Sequence, residues 1–320
     1  MTNMKKNMIL LTALANLVAL PSVYAAPVSL TGEATIRYEV DRADGERAVS
    51  GTATTVKLAA EASLSPGLLW YARLAAQHSA QPALADFNTV AYAAGTKSVA
   101  ALDQFGLIRK AGAFTYKLGR QDLSIGTEAL LYKRNNENVG RHAFVDGLTV
   151  DGKAGSVDLT LTAVREDNEA GRENGTLYAL RAGWQTKDKT GWGLTWGRYQ
   201  NSSTGSTYHW AVDGKYVFGK HSLSAQYTLS DAASDNKGYA VNWTYDSDGK
   251  TVLYLTAFHQ ESFAAMGGQS EFDGGYKELC YGLTHQLGKH AGLEIVYKDQ
   301  RQLRDGAKSR KFEAVVTYSF

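Results

Sequence analysis

The sequence has a single cysteine, Cys280, and only 4 prolines in 320 residues. One thiol cannot build an intrachain disulfide framework or a Cys-rich metal site. So little proline beside 44% hydrophobic residues excludes a collagen-like chain and argues against disorder. Neither charge sign dominates: 34 Lys+Arg face 32 Asp+Glu, so no basic footprint for nucleic acid exists. Long apolar runs are also missing. The mean hydropathy of −0.30 excludes several membrane helices, since each needs about 20 apolar residues in a row. What is abundant is glycine (32) and aromatic residues (18 Tyr, 10 Phe, 6 Trp). That combination at modest hydropathy suits β-structure, and a membrane barrel in particular.

The first segment reads as an address. Lys5 and Lys6 precede an apolar run from Met8 to Leu20, broken by Pro21, and Val23-Tyr24-Ala25 offers small residues at two cleavage-site positions. This is the pattern of a secretory signal peptide at 1–25, cleaved after Ala25, rather than of an anchor helix. Removing its two lysines leaves 34 − 2 = 32 basic against 32 acidic residues in 26–320.

The remaining chain alternates with period two. Leu30, Ala34, Ile36, Tyr38 and Val40 face one side, and Thr31, Glu33, Thr35, Arg37 and Glu39 the other. Successive strand side chains point to opposite faces, so each such run is a strand with one apolar and one polar face. The pattern recurs at 156–163, 222–229, 239–246 and 311–320. Short turns rich in Gly, Asp and Asn fall at 65–67, 110–112, 151–155, 187–191, 218–220, 246–250 and 287–291. Between them lie longer polar loops at 41–51, 79–99, 121–142, 166–174, 201–206, 231–237, 262–274 and 302–308. Seven turns and eight loops give fifteen connections, hence sixteen strands. The segment 100–110 is the weakest of them, because either register leaves a polar residue outward; fourteen strands is the alternative count.

Short turns on one rim and long loops on the other define an all-β, transmembrane, antiparallel up-and-down β-barrel. A soluble β-sandwich also alternates, but it needs protected edge strands. The apolar face here is instead rich in aromatics near strand ends, as interfacial girdles require: Tyr38, Trp70, Trp184, Trp192, Trp196, Tyr208, Trp210, Tyr216, Phe218, Tyr245, Tyr254, Phe258, Tyr281, Tyr297 and Tyr318.

Two motifs resemble those of a family. The chain ends Val316-Thr317-Tyr318-Ser319-Phe320, and Leu118-Gly119-Arg120-Gln121 is followed by a Gly-containing loop and Phe144-Val145-Asp146-Gly147-Leu148. This is similar to the L-G-R-Q … F-D-G stretch of Gram-negative outer-membrane porins, including general-diffusion and alginate-export-like types, with Val145 interrupting F-D-G. The resemblance implies a monomeric or homotrimeric water-filled channel in the outer membrane, exported through the periplasm. It also implies that the barrel assembly machinery reads the terminal Phe320. In such porins the third long loop folds inward; here that loop is 121–142. Expected partners are outer-membrane lipid, ions and small hydrophilic solutes.

Alternation places Arg37, Lys57, Arg73, Lys117, Arg181, Lys215 and Lys298 on the inner face, with Glu33, Glu61, Asp158, Asp213, Glu278, Glu294 and Glu313. Balanced signs predict no strong ion selectivity. Arg120 points outward by strict alternation, unless a bulge at Gly119 turns it inward to join the pore lining. Asp122, Glu128 and Glu137 on the third loop, with Lys133, Arg134 and Arg141, are expected to form a constriction in which loop acids face wall arginines. An enzyme is not expected: the seven histidines are scattered, and no G-x-S-x-G nucleophile motif occurs. No cofactor or metal is expected either. The alternatives are a substrate-selective channel, or a plugged structural or adhesive barrel. Neutralising Glu128 and Glu137 is expected to shift the reversal potential of the channel under a salt gradient.

Overall fold

The structure is a computed structural model that describes residues 27–85, 87, 95–134, 139–168, 173–186, 189–203 and 205–320. The expected signal peptide, 1–25, lies outside the described residues. The first barrel strands are β1 (Val28–Ala43), β2 (Val49–Ser65), β3 (Leu68–Ser79), β4 (Ser98–Ala111) and β5 (Phe114–Gln121). A short hairpin of β6 (Leu123–Ile125) and β7 (Tyr132–Arg134) lies in the loop that follows. The barrel resumes with β8 (Val145–Ala154), β9 (Val157–Glu166), β10 (Thr176–Gln185), β11 (Gly191–Asn201) and β12 (Gly205–Phe218). It continues through β13 (His221–Ser230), β14 (Lys237–Asp246), β15 (Thr251–Gln260), β16 (Tyr276–Gln286), β17 (Ala291–Gln302) and β18 (Lys308–Ser319). Every barrel strand pairs antiparallel with its neighbours in sequence, and β18 returns to β1, so sixteen strands close without an edge. The count and the alternation of short and long connections are those expected from the sequence.

Closure satisfies every strand's hydrogen-bonding row, which is what allows a sheet to stand in hydrocarbon. Outside, the alternation leaves Trp192, Trp196, Trp210, Tyr216, Tyr227, Tyr239, Tyr281 and Tyr318 exposed, a belt of the kind that meets lipid and its interfaces. Two aromatics assigned to that belt belong inside. The Tyr254 hydroxyl donates to Glu294 Oε1 at 2.7 Å. Phe258 is buried and packs on Phe272 at a centroid distance of 4.5 Å. Each follows the register of β15, in which Leu253, Leu255 and Ala257 take the outward places.

The difficult strand, β4, resolves its misplaced polar residue with a bulge. Pairing with β3 shifts between Arg73 and Leu74, so Arg73 faces Gln104 while Leu74 faces Leu102. Asp103 is the extra residue, and both Asp103 and Gln104 are buried. Asp103 receives a fork from Arg73: Nε donates to Oδ1 and Nη2 to Oδ2, each at 2.8 Å. The buried pair is held at both ends. Asp103→Ala is expected to leave the Arg73 guanidinium buried without this counter-ion and to cost about 3–5 kcal/mol. The urea midpoint of the heat-shifted gel band would read that loss.

Candidate functional site

The sequence motif at the root of the third loop is a cross-strand unit. Gly119 on β5 lies between Gly106 on β4 and Gly147 on β8, and Arg120 lies opposite Asp146. Gly119 has φ +132° and a Cβ there would stand 2.3 Å from the Phe105 carbonyl oxygen, so the position excludes other residues. The space left on the inner face is filled by the Gln121 amide. Its Nε2 donates to the Gly147 carbonyl at 2.9 Å, and its Oε1 accepts from the Thr149 hydroxyl at 2.9 Å.

From this root the loop folds into the barrel. Leu130, Leu131 and Tyr132 are fully buried. Leu131 and Tyr132 land on an apolar patch of the otherwise polar inner wall, made of Val164, Leu177, Ala179, Tyr199 and Ala211, whereas Leu130 packs against Ala240 and Phe258. Wall glutamines grip the loop backbone: Gln226 Oε1 accepts from Glu128 N at 3.0 Å, and Gln260 Nε2 donates to the Leu130 carbonyl at 3.4 Å. The main fastening is Glu166 at the end of β9. Its carboxylate accepts from the Tyr132 hydroxyl at 3.0 Å, the Tyr199 hydroxyl at 2.9 Å, Asn168 Nδ2 at 3.0 Å and Gly175 N at 3.2 Å. Arg134 Nη2 stands 3.4 Å away, and both charged side chains are nearly inaccessible to solvent. Burial raises the Tyr132 phenol well above its ordinary value, which keeps it a neutral donor.

The loop after β15 also enters the barrel, which the sequence reading did not anticipate. Ala264 and Met266 are fully buried. Met266 N donates to the Leu131 carbonyl at 3.0 Å, and Glu271 N to the Ala129 carbonyl at 3.2 Å. Lys133 and Glu271 form an ion pair between the two loops. The loops therefore form one inward mass on one side of the lumen.

Beside that mass a cavity of about 1080 Å³ remains. It runs between Thr127, Glu128, Ala129 and Lys133 of the third loop, Glu271, Phe272 and Asp273 of the second inward loop, and the wall of β1, β2 and β14 to β18. The lining holds eight carboxylates (Glu33, Asp41, Glu128, Glu271, Asp273, Glu278, Glu294, Glu313) and five cations (Arg37, Lys57, Lys133, Lys298, Lys311), an excess of 8 − 5 = 3 acids. Each cation lies within ion-pair reach of a carboxylate. Arg37 is 3.3 Å from Glu39, Lys57 3.0 Å from Glu33, Lys298 4.0 Å from Glu313 and Lys311 2.7 Å from Glu39. Burial of Glu128 against the wall raises its carboxyl above the ordinary 4.5, with the Ser224 hydrogen bond and Lys215 pulling it down and Asp213 pushing it up.

The candidate residues thus separate. Arg37, Lys57, Glu128 and Lys133 line this cavity. Arg73, Lys117 and Asp122 line an adjoining recess, where Lys117 pairs with Asp122 at 2.9 Å at the foot of the loop. Arg181 lies in a recess bordered by 124–127 of the loop, its Nε 3.1 Å from Asp213 Oδ2. Arg134 is buried behind the loop rather than facing the lumen, because Glu166 and two backbone carbonyls hold it. Arg141 is 61% exposed at the rim, 3.9 Å from Asp167. Arg120 is not a lining residue. No register shift occurs at Gly119, so strict alternation holds, and Arg120 pairs on the outer face with Asp146 and Asp167, each at 2.7 Å. Glu137 lies outside the described residues. The expected opposition of loop acids and wall arginines is reduced to Glu128 on the loop and Arg37 on the wall, with lysines supplying the other wall cations.

Glu166→Ala is expected to remove about 3 kcal/mol or more of loop anchoring, since it strands Arg134 in a buried place. Single-channel recording should then show higher and noisier conductance than the parent, while Tyr132→Phe should show a smaller change.

No protein-family model matches the chain, and no curated protein matches it. Solved structures do. A mutant of the Rh. blastica porin is similar over 92% of this chain and 100% of its own, at 12% identity and a TM-score of 0.60. A loop-deletion mutant of OmpT, an outer membrane protein of Vibrio cholerae, is similar over 92% of this chain and 99% of its own, at 12% identity and a TM-score of 0.60. At such identity the likeness is one of fold. With its apolar outer belt and polar interior, the chain is a closed sixteen-stranded β-barrel that has the fold of a porin.

Proposed function

We propose that the chain is an outer-membrane porin, a water-filled channel for passive diffusion of ions and small hydrophilic solutes. The observation that carries this reading is the polar cavity of about 1080 Å³ beside the inward loops: they narrow the lumen to one side and leave a charged lane along the wall. Sixteen strands give a barrel wide enough for such a lane. The excess of carboxylates in the lining favours cations over anions, because rings of charge on a pore wall set ion preference.

A homotrimer is part of this reading, and the outer face supports it. Outward positions on β2, β3 and β4 include the small Ala60, Ala72, Ala76 and Ala100, whereas β11 to β14 present Trp192, Trp196, Trp210, Tyr227 and Tyr239. Small side chains let two barrels approach closely, so this face is the one through which three copies would meet. Phe320, whose backbone pairs with Gly32 in both directions at 2.7 and 2.9 Å, is the residue offered to the assembly machinery.

Two measurements test the reading. In a planar bilayer the refolded mature protein is expected to open in steps, with a reversal potential of cation-preferring sign and three equal closures per unit. Folded protein without conductance would overturn the channel in favour of a plugged barrel. The second concerns pH. A carboxyl raised in the folded loop holds its proton until pH exceeds 4.5, and becomes charged only above that. Its stabilisation of the packed loop is full below 4.5 and lost as pH rises through the raised value. Cation preference is therefore expected to rise with pH over that window, and to rise less in Glu128→Gln; identical profiles would remove Glu128 from the selectivity.

A further inference from the structure

The two rims of the barrel carry opposite charge. The eight long loops at one end hold 10 Lys+Arg and 16 Asp+Glu, a balance of 10 − 16 = −6. The seven short turns at the other end hold 7 Lys and 4 Asp, a balance of 7 − 4 = +3. Strands alternate in direction around the whole sheet, so the loops share one rim and the turns the other. A chain that is neutral over 26–320 is thus polarised along the barrel axis.

Cations are spread around the turn rim rather than gathered on one side. Lys110, Lys153, Lys189, Lys220, Lys250 and Lys289 occupy six of the seven turns, and all are exposed. The remaining turn, 65–67, is met by Arg109, whose Nη1 donates to the Pro66 carbonyl at 3.2 Å. The aspartates of the turn at 246–250 shape its backbone. Asp248 Oδ1 accepts from Lys250 N at 2.9 Å and Thr251 N at 2.6 Å, and Asp246 Oδ1 accepts from Gly249 N at 2.6 Å. Among the described residues the ammonium groups of Lys110, Lys250 and Lys289 form no hydrogen bond or ion pair.

The two ends are joined by the lane. Towards the turn rim, Lys250 borders a recess of about 310 Å³ with Glu294, Val315 and Thr317, three residues that also line the cavity of the lane. Towards the loop rim, the lining ends in Asp41, Asp273 and Glu278. Among the described residues Asp41 and Glu278 have no side-chain hydrogen bond or ion pair, and Asp273 accepts from Gln300 Nε2 at 2.7 Å. An ion entering from the loop side therefore crosses an acidic section first and a basic mouth second.

We propose that this axial separation of charge makes the channel a current rectifier that conducts better with the long-loop side positive; the inference rests on the channel reading. Fixed charge enriches its counter-ions locally. Cations are enriched in the acidic section, and anions at the basic mouth. With the loop side positive, the field drives cations towards the turns and anions towards the loops. Both enter the zone between the two sections, accumulate there and carry current. With the turn side positive both are drawn out of that zone, and the depleted stretch limits the current. Screening sets the reach of the effect. Sixteen strands about 4.8 Å apart and tilted by about 40° enclose a radius of about 16 Å. The screening length is about 30 Å at 0.01 M salt and about 3 Å at 1 M. Rim charges therefore span the mouth in dilute salt and not in concentrated salt.

The test records single channels of the refolded mature protein in a zwitterionic phosphatidylcholine bilayer with potassium chloride on both sides. Orientation is read from a biotin placed on the exposed long-loop rim by Ser203→Cys. Streptavidin perturbs the current only from the chamber which that rim faces. In dilute salt, currents at equal and opposite voltages are expected to differ by about two-fold or more, larger with the loop side positive. The ratio should return to about one in 1 M salt, where screening is short. It should also fall towards one in dilute salt in the triple variant Lys110→Gln, Lys250→Gln, Lys289→Gln. Heat-shifted gel mobility reports the folding of the variant; if it fails to fold, the salt dependence of the wild type decides. Equal currents in dilute salt, or the opposite polarity, would overturn the proposal. So would an asymmetry that survives 1 M salt or the folded variant, which would assign it to movement of the loops. A conducting wild type with equal currents refutes the rectifier and keeps the channel, whereas folded protein that never conducts refutes both.

Discussion

The buried carboxylate of Glu166 is the constraint on which the interior depends. A charge held out of water is tolerated only when its lone pairs are filled. Here they are filled by Tyr132 from the third loop, Tyr199 from the wall, Asn168 and the Gly175 amide, with Arg134 alongside. Two of those partners, Tyr132 and Arg134, sit on the inward hairpin arm β7. The loop cannot leave the wall without stripping a buried anion of its donors, so its position is discrete rather than adjustable. Together with Gln226 and Gln260, which hold the loop backbone at Glu128 and Leu130, the Glu166 anchor keeps Glu128 beside the cavity and lets Leu131 and Ala129 support the second loop.

The second loop shows how one insertion recruits another. Once Leu130, Leu131 and Tyr132 lie on the wall, the loop's upper surface presents unpaired carbonyls at Ala129 and Leu131. Backbone groups in a water-poor place need partners. Glu271 N and Met266 N provide them, and the Lys133–Glu271 pair closes the contact. The lane is thereby bordered on one side by irregular chain and on the other by the regular wall of β16, β17, β18 and β1. The charges differ accordingly. The wall gives interleaved pairs such as Lys311 with Glu39, whereas the loops bring Glu128, Glu271 and Asp273 against a single Lys133. The acid excess of the passage is thus a property of the loops' fold rather than of the composition, which is neutral.

The motif at the loop's root acts through backbone geometry. Gly106, Gly119 and Gly147 in a row allow β4, β5 and β8 to lie together where Cβ atoms would collide with carbonyl oxygens. Gln121 and Thr149 then close the inner side. On the outer side Arg120 and Asp146 face each other. The same short stretch therefore launches the loop inward and neutralises the rim outward.

Sequence by itself determined the barrel. A side-chain period of two, aromatics on the apolar phase, and alternating short and long connections are local properties of the chain, and closure follows because an open sheet cannot stand in lipid. It also placed Arg37, Lys57, Lys298 and Glu313 inward, since alternation needs no distant partner. One further signal was present at inward positions: Val164 and Leu177 are apolar where polar residues are the rule, and they mark where the third loop lands. What only the tertiary structure decided depends on contacts far apart in sequence. The bulge at Asp103 meets Arg73, the anchor at Glu166 joins residues from 132 to 199, and the second loop is held both by the first and by Ser230 and His209 of the wall. Alternation carries no information about such meetings, because it fixes which face a side chain takes and not what reaches it across the lumen.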